Sequence, residues 1–389
     1  MTLPIYLDNH ATTPVDSRVV EAMLPFFTES FGNPASRNHK FGWTAGTAVE
    51  NARKQVAKLI NASSKEIVFT SGASESDNLA IKGAAHRYRD RRDQIITVAS
   101  EHKAVLDSAK RLATEGFRVT HARLHPDGLV DLADLKRAVT DKTLLVSIMA
   151  ANNEIGVLQP LEEIGRLCRE RGVLFHTDAA QATGKIPLDV EAMQIDLLSI
   201  AGHKMYAPKG IGALYIRRRG TPVDLEPILD GGGHEGGLRS GTLNVPGIVG
   251  LGKACEICRQ MMPEEATRLA GLRDRLKDGL LAGLEDIHVN GSLEHRLPNN
   301  LNVSFPNVDI ATLLAALNDI ALSSGSACNS GTPEPSYVLQ ALGVSTELAS
   351  TPLRFGLGRF NTEEEIDHCL TRVVDTVKRL RSLGGTSAA

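Results

Sequence analysis

The sequence predicts an α/β fold, with a large domain built on a mainly parallel sheet and a smaller α+β domain after it. Three observations predict it. From about residue 51 to residue 216, short apolar runs alternate with amphipathic segments, the pattern of strands joined by helices. The runs themselves barely alternate apolar with polar residues, as strands covered on both faces do. The chain of 389 residues also exceeds what one compact core usually supports.

Taken in order, Ala52–Ile60 is an amphipathic helix, Glu66–Thr70 a strand and Ser74–Tyr88 a helix. Further strands are expected at Gln94–Ala99, Thr143–Ala150, Gly172–Ala179, Asp196–Gly202 and Ile211–Ile216, with a helix around Leu161–Arg171 before the third of these. Asp230–Asn244 is a glycine-rich loop, and two long helices follow, Pro246–Met262 and Glu264–Leu284. The blocks Asn299–Phe305 and Leu353–Arg359, with helices between and after them, make up the smaller domain. The expected boundaries are 16–259 for the large domain, and 1–15 with 260–389 for the small one. No internal repeat is present, and the closing "LGGTSAA" reads as a frayed tail.

Composition narrows the function classes. Hydrophobic residues are 42% and charged residues 23%, an ordinary globular balance. A net charge of -3 without a long Lys/Arg run gives no reason to expect nucleic-acid binding. Apolar runs such as Ile310–Leu317 are too short to cross a bilayer, so no membrane partner is expected, and "MTLPIYLDNHATTP" lacks the basic start of a secretory signal. The five cysteines are odd in number and read as reduced thiols of a cytoplasmic protein. Cys255 and Cys258 form a C-x-x-C without a second ligand pair at zinc spacing. They share a helix face with Ile248, Leu251 and Ala254, which makes them core residues. Cys328 differs. It lies in "LSSGSACNSGTPEPS", Leu322–Ser336, a glycine- and serine-rich stretch with little apolar surface to bury.

Chemistry-bearing residues gather at strand ends, where α/β proteins place ligands. Lys204 follows Asp196–Gly202, Asp178 ends Gly172–Ala179, Asn153 follows Thr143–Ala150, and His102 follows Gln94–Ala99. Gly72, Ala73 and Ser74 form a small-residue turn that opens a helix. Each has a use if the ligand is pyridoxal phosphate: an amine for the aldehyde, a carboxylate for the pyridine nitrogen, free amides for the phosphate, and an imidazole to stack on the ring. His203 and Gln181 are placed to donate to its oxygens. Ser74–Asp77 equally fits a capping box, and singly each histidine reads as an ordinary core or surface residue.

The chain resembles the cysteine desulfurases of the iron–sulfur assembly type, in the class-V aminotransferase family. Ordered blocks carry the resemblance over nearly the whole length, among them "YLDNHATTPVD", "EIVFTSGASESDNLAIKG", "SEHKAVLD", "HTDAAQATGK", "SIAGHKMYAPKGIGALYIRR", "RSGTLN", "SSGSAC" and "LRFGLGRFNTEEEID". The resemblance implies the type I fold of pyridoxal-phosphate-dependent transferases, with a seven-stranded sheet. It implies Lys204 as the Schiff-base lysine, Asp178 as the pyridinium partner, Gln181 as donor to the phenolic oxygen, and His102 as the stacking histidine that also moves protons. Ala73, Ser74 and His203 match phosphate contacts, and Thr242 matches one lent by a second subunit, hence a homodimer. Asn153 and Arg354 match the pair that holds the substrate carboxylate, where the arginine fork suits a bidentate contact.

Cys328 matches the nucleophile that takes sulfur from L-cysteine as a persulfide, leaving alanine, and passes it to an iron–sulfur scaffold, a tRNA-thiolation protein or another acceptor. An iron–sulfur ligand role for Cys328 is a further expectation. Two features depart from the family: Ala201 stands where a phosphate-bonding hydroxyl is common, and the tail after Leu383 is short for scaffold docking. A selenocysteine lyase or another enzyme of the same fold is the alternative, although the "SSGSAC" form favours the assembly branch.

Overall fold

The computed structural model describes residues 3–324 and 334–385. Seven strands form the large sheet: β1 (Ile67–Thr70), β2 (Gln94–Val98), β3 (Arg118–Ala122), β4 (Thr143–Ser147), β5 (Leu174–Asp178), β6 (Leu197–Ala201) and β7 (Gly212–Ile216). Their order is β1-β7-β6-β5-β4-β2-β3, and only β7 runs antiparallel to its neighbours. Every residue of β1, β2, β4, β6 and β7 is buried, which is why their sequences show no polar alternation. β3 is the strand that the apolar runs do not announce. It lies at the sheet edge, largely out of the core, and "RVTHA" reads as a polar segment.

One expectation is corrected. The two long helices are one, Val245–Gly283, with Pro263 inside it. A proline removes one helical hydrogen bond and usually ends or kinks the element. Here packing on either side overrides that preference: Val245–Cys258 lies in the core beneath the large sheet, and Leu269–Leu280 lies in a second core. That second core also holds Ile5 and Leu7 of the N-terminal arm, Leu301–Phe305, Leu353–Leu357 and Ile366–Val377. The arm enters it as the short strand Ile5–Tyr6, parallel to Ile320–Ala321. Asn300–Ser304 pairs antiparallel with Pro352–Gly356 beside it. Cys255 and Cys258 are buried on the long helix, in line with the core reading. No helix among the described residues is long and apolar enough to cross a membrane.

Candidate functional site

The parallel strands deliver their C-terminal ends to one edge of the sheet. At β1, the chain turns through Gly72 (φ +155) into the helix Ala73–Tyr88. No side chain caps this helix, so the capping box Ser74–Asp77 is not formed, and the first-turn amides of Ala73 and Ser74 keep their positive end open to an anion. The backbone here is crowded: a Cβ added at Gly212 of β7 would lie 2.6 Å from the Cα of Gly72. Only glycine lets the two segments meet.

Lys204 closes a short turn after β6, and its Nζ donates to the carbonyl oxygens of His10 and, at 2.8 Å, Ala11. The N-terminal arm holds this turn from outside, with Thr13 Oγ1 donating to the His203 carbonyl at 3.0 Å and accepting from the Tyr206 amide at 2.9 Å. Lys185 Nζ donates to the Lys204 carbonyl at 3.1 Å. Burial brings the Lys185 amine down to about 8. His203 lies 3.2 Å from Thr12 Oγ1, and burial together with Lys204, Lys209 and Lys185 lowers it to about 4, so its ring is neutral at pH 7. Ala201, the last residue of β6, is buried and offers no hydroxyl.

Carboxyl groups gather beside the lysine. Asp178 ends β5 and accepts from the Ala180 amide at 2.8 Å. Burial raises its pKa, while His102 and Lys204 act against the rise. Glu101 and Asp77, both fully buried, are raised well above the usual carboxylate range by burial and then by the charge on Asp178. His102 caps the helix Lys103–Thr114, its Nδ1 accepting from the Ala104 amide at 3.1 Å. With Nδ1 accepting there, the ring's N–H is at Nε2.

Gln181 is joined to His10 twice: its Nε2 donates to the His10 carbonyl at 2.9 Å, and its Oε1 lies 2.9 Å from His10 Nδ1. Arg354, on Pro352–Gly356, lies beside Asn153, Nη1 donating to the Asn153 carbonyl at 2.9 Å. Its Nη2 pairs with Asp8 at 2.8 Å, while Arg354 Nε and Asn153 Oδ1 are buried without hydrogen-bond partners among the described residues. Thr242 is exposed in the loop before the long helix, and among the described residues no hydrogen bond joins it to the Lys204 cluster. Cys328 lies outside the described residues, so its expected roles as sulfur acceptor and iron–sulfur ligand are not seen here. The chain on either side of that segment is held at this edge. The Arg354 amide donates to the Ser323 carbonyl at 2.8 Å, and Ser336 Oγ donates to Glu154 at 2.6 Å.

His10, Asp8 and Lys185 are site residues that sequence reasoning missed. The first two sit in the N-terminal arm, far in sequence from the strand ends of the large sheet. Lys185 follows a helical turn beyond Asp178, where nothing distinguishes it from a surface lysine.

The residues present fit pyridoxal phosphate. An uncapped helix start suits a phosphate, a buried carboxylate among cationic neighbours suits a protonated pyridine nitrogen, and the unpartnered Asn153 Oδ1 and Arg354 Nε suit a polar ligand. The comparisons agree. The model of the family described as aminotransferase class-V matches residues 5–369. A "Cysteine desulfurase IscS" from Anaeromyxobacter sp. (strain Fw109-5) is 58% identical over 98% of this chain and 95% of its own. A solved structure titled "NIFS-LIKE PROTEIN" is 42% identical with a TM-score of 0.90, over 96% of this chain and 99% of that one. Another, titled "SspA in complex with cysteine", is 38% identical with a TM-score of 0.81, over 92% and 100%.

Proposed function

The chain belongs to the class-V aminotransferase family, and as a pyridoxal-phosphate-dependent cysteine desulfurase we propose that it works through the residues gathered at the sheet edge. When bound, the cofactor supplies an electron-withdrawing ring that stabilises negative charge at the substrate's Cα. Lys204 holds the cofactor and then removes the Cα proton. Asp178 would hold the cofactor through its ring nitrogen, and His102 would pack against it and return protons. The Ala73 and Ser74 amides and His203 hold the phosphate with one hydroxyl fewer at Ala201, which weakens binding without abolishing it. Gln181 donates to the phenolic oxygen. Asn153 and Arg354 take the carboxylate of L-cysteine, so that the substrate shares the guanidinium with Asp8.

Cys328 takes the substrate's sulfur as a persulfide. L-cysteine and the thiol give alanine and the persulfide, with no other reagent needed. The observation that carries this reading is the meeting of Lys204, Asp178, His102 and Arg354 at the edge where Ser323 and Ser336 are anchored.

The finer assignments belong to the same reading. The exposed Thr242 completes the phosphate site of a second copy, which makes the enzyme a homodimer. The persulfide goes to iron–sulfur scaffolds, and tRNA-thiolation proteins are further acceptors. Reduced, buried cysteines suit the cytoplasm, and Cys328 can ligate a cluster on transfer. A division into domains at about residue 260 belongs to the same proposal, supported by the change of core along the long helix between Cys258 and Leu269.

The test is Cys328→Ser. With L-cysteine as substrate, the variant loses persulfide formation and sulfide release by more than about a hundredfold, since no other group on this pathway accepts sulfur. Alanine formed at the wild-type rate by Cys328→Ser, with the sulfur passing directly to added reductant, would point instead to another enzyme of the same fold with no use for this thiol.

A further inference from the structure

His10 is buried, and both of its ring nitrogens face oxygen atoms. Nδ1 lies 2.9 Å from Gln181 Oε1, and Nε2 lies 3.2 Å from the Asn299 carbonyl. A neutral imidazole has one N–H, so one of these contacts goes without a proton. A doubly protonated ring would satisfy both, but burial, with Lys185, Arg354 and Lys204 nearby, holds His10 well below its usual range.

The neighbours decide where the single proton sits. The Asn299 carbonyl already accepts from the Leu357 amide at 3.0 Å. It therefore has a partner without His10. Gln181 does not have that freedom. Its Nε2 donates to the His10 carbonyl at 2.9 Å, the carbonyl that also accepts from Lys204. Turning the amide over would set two carbonyl oxygens against each other there. With the amide held this way, Oε1 must face Nδ1, and only Nδ1–H makes that contact favourable.

We infer that His10 is a positioning residue: a proton kept on Nδ1 fixes the Gln181 amide with its nitrogen, rather than its oxygen, free for the ligand. The amide nitrogen has two protons, and one is spent on the His10 carbonyl. The second remains for the cofactor's phenolic oxygen. A carboxamide oxygen in that place would repel the phenolate and raise the pH at which the cofactor's visible absorption titrates. His10 thus acts on the cofactor through Gln181, while its carbonyl sets the resting place of Lys204. The inference rests on reading Gln181 as the donor to the phenolic oxygen.

Two measurements on the loaded enzyme test it. Nitrogen-15 NMR of the wild-type protein should show His10 protonated at Nδ1, and protonation at Nε2 overturns the inference. The pH titration of the cofactor's visible absorption should shift by about one unit in His10→Leu, the worth of one charge-assisted hydrogen bond. His10→Asn, whose Nδ2 overlies Nδ1, should titrate close to the wild type. A His10→Leu curve that superimposes on the wild type, when Gln181→Leu shifts, also overturns it. If Gln181→Leu itself leaves the titration unmoved, the reading of Gln181 as phenolic-oxygen donor fails, and the NMR result alone decides where the His10 proton sits.

Discussion

Asp77 has no solvent exposure, and among the described residues neither carboxylate oxygen has a hydrogen-bond partner; His176 Nε2 lies 3.6 Å away. Burial raises its pKa first, and the charges on Asp178 and Glu101 raise it further, with Ser199 opposing them from beyond ordinary hydrogen-bond geometry. The folded protein therefore keeps a proton on Asp77 that the unfolded chain gives up above about pH 4. The folded state binds more protons, so this contribution to stability is complete below that pH and declines as the pH rises. The slope is at most about 1.4 kcal/mol per pH unit until the folded carboxyl ionises. Asp77→Asn, a neutral group of the same shape, should remove the decline. In urea unfolding of the cofactor-free protein, the variant should gain on the wild type between pH 5 and pH 8, and parallel profiles would count against a protonated Asp77. From sequence, Asp77 read as well as a helix cap as anything else, because burial beneath a sheet is a property of the fold. Lys204, Asp178 and His102 were legible because strand ends announce themselves, whereas the pairing of His10 with Gln181 spans 171 residues and leaves no local trace.

The helix Val245–Gly283 shows the same limit at the next scale. Pro263 argues for a break, and local propensity has no means of weighing the two cores that grip the helix on either side. Strands were easier to read. Those buried on both faces appear as apolar runs, and their expected ends fall within a few residues of the observed ones, while edge strand β3 carries no such signal. Because Pro263 is exposed, its ring contributes little packing, and the lost helical bond remains as a cost. Pro263→Ala should therefore stabilise the protein by about 1–3 kcal/mol in chemical unfolding. A destabilised variant would show that a bend at Pro263 is needed to seat both halves. The arm depends on a different local constraint. A Cβ at Gly356 would come within 2.9 Å of the His10 backbone nitrogen and ring. Gly356→Ala should push the arm away from Lys204 and lower cofactor retention after dialysis, beyond the ~1–3 kcal/mol that overpacking costs the fold.

At the scale of the molecule, two cores meet at one ionic knot. Arg359, next to the small-domain strand, pairs with Asp16 at 2.9 Å and Glu265 of the long helix at 3.0 Å, and its guanidinium carbon lies 4.1 Å from the centre of the Tyr206 ring. The Tyr206 hydroxyl accepts from the Arg359 amide at 2.6 Å, and Tyr206 is two residues beyond Lys204. The knot therefore ties the junction between the cores to the turn that carries Lys204. The family blocks announced the Lys204 turn, but nothing in "LGRFN" or "PVDSR" announced that these two segments meet. The hydrogen bonds from Arg18 and Arg359 hold the Asp16 carboxyl well below the usual range. A depressed carboxyl contributes stability that is present above its unfolded pKa and lost as the pH falls through the folded one. Arg359→Ala leaves Asp16 and Glu265 partly buried with one partner fewer. It should cost about 3–5 kcal/mol at pH 7, and the loss should be smaller at pH 3, where the unfolded chain already takes up the proton that the folded Asp16 carboxyl still resists. Unfolding of the two proteins at pH 7 and pH 3 measures it. Because the knot borders the lysine turn, the variant should also bind cofactor less tightly at pH 7. Unchanged cofactor affinity alongside the full loss of stability would separate the junction from the site.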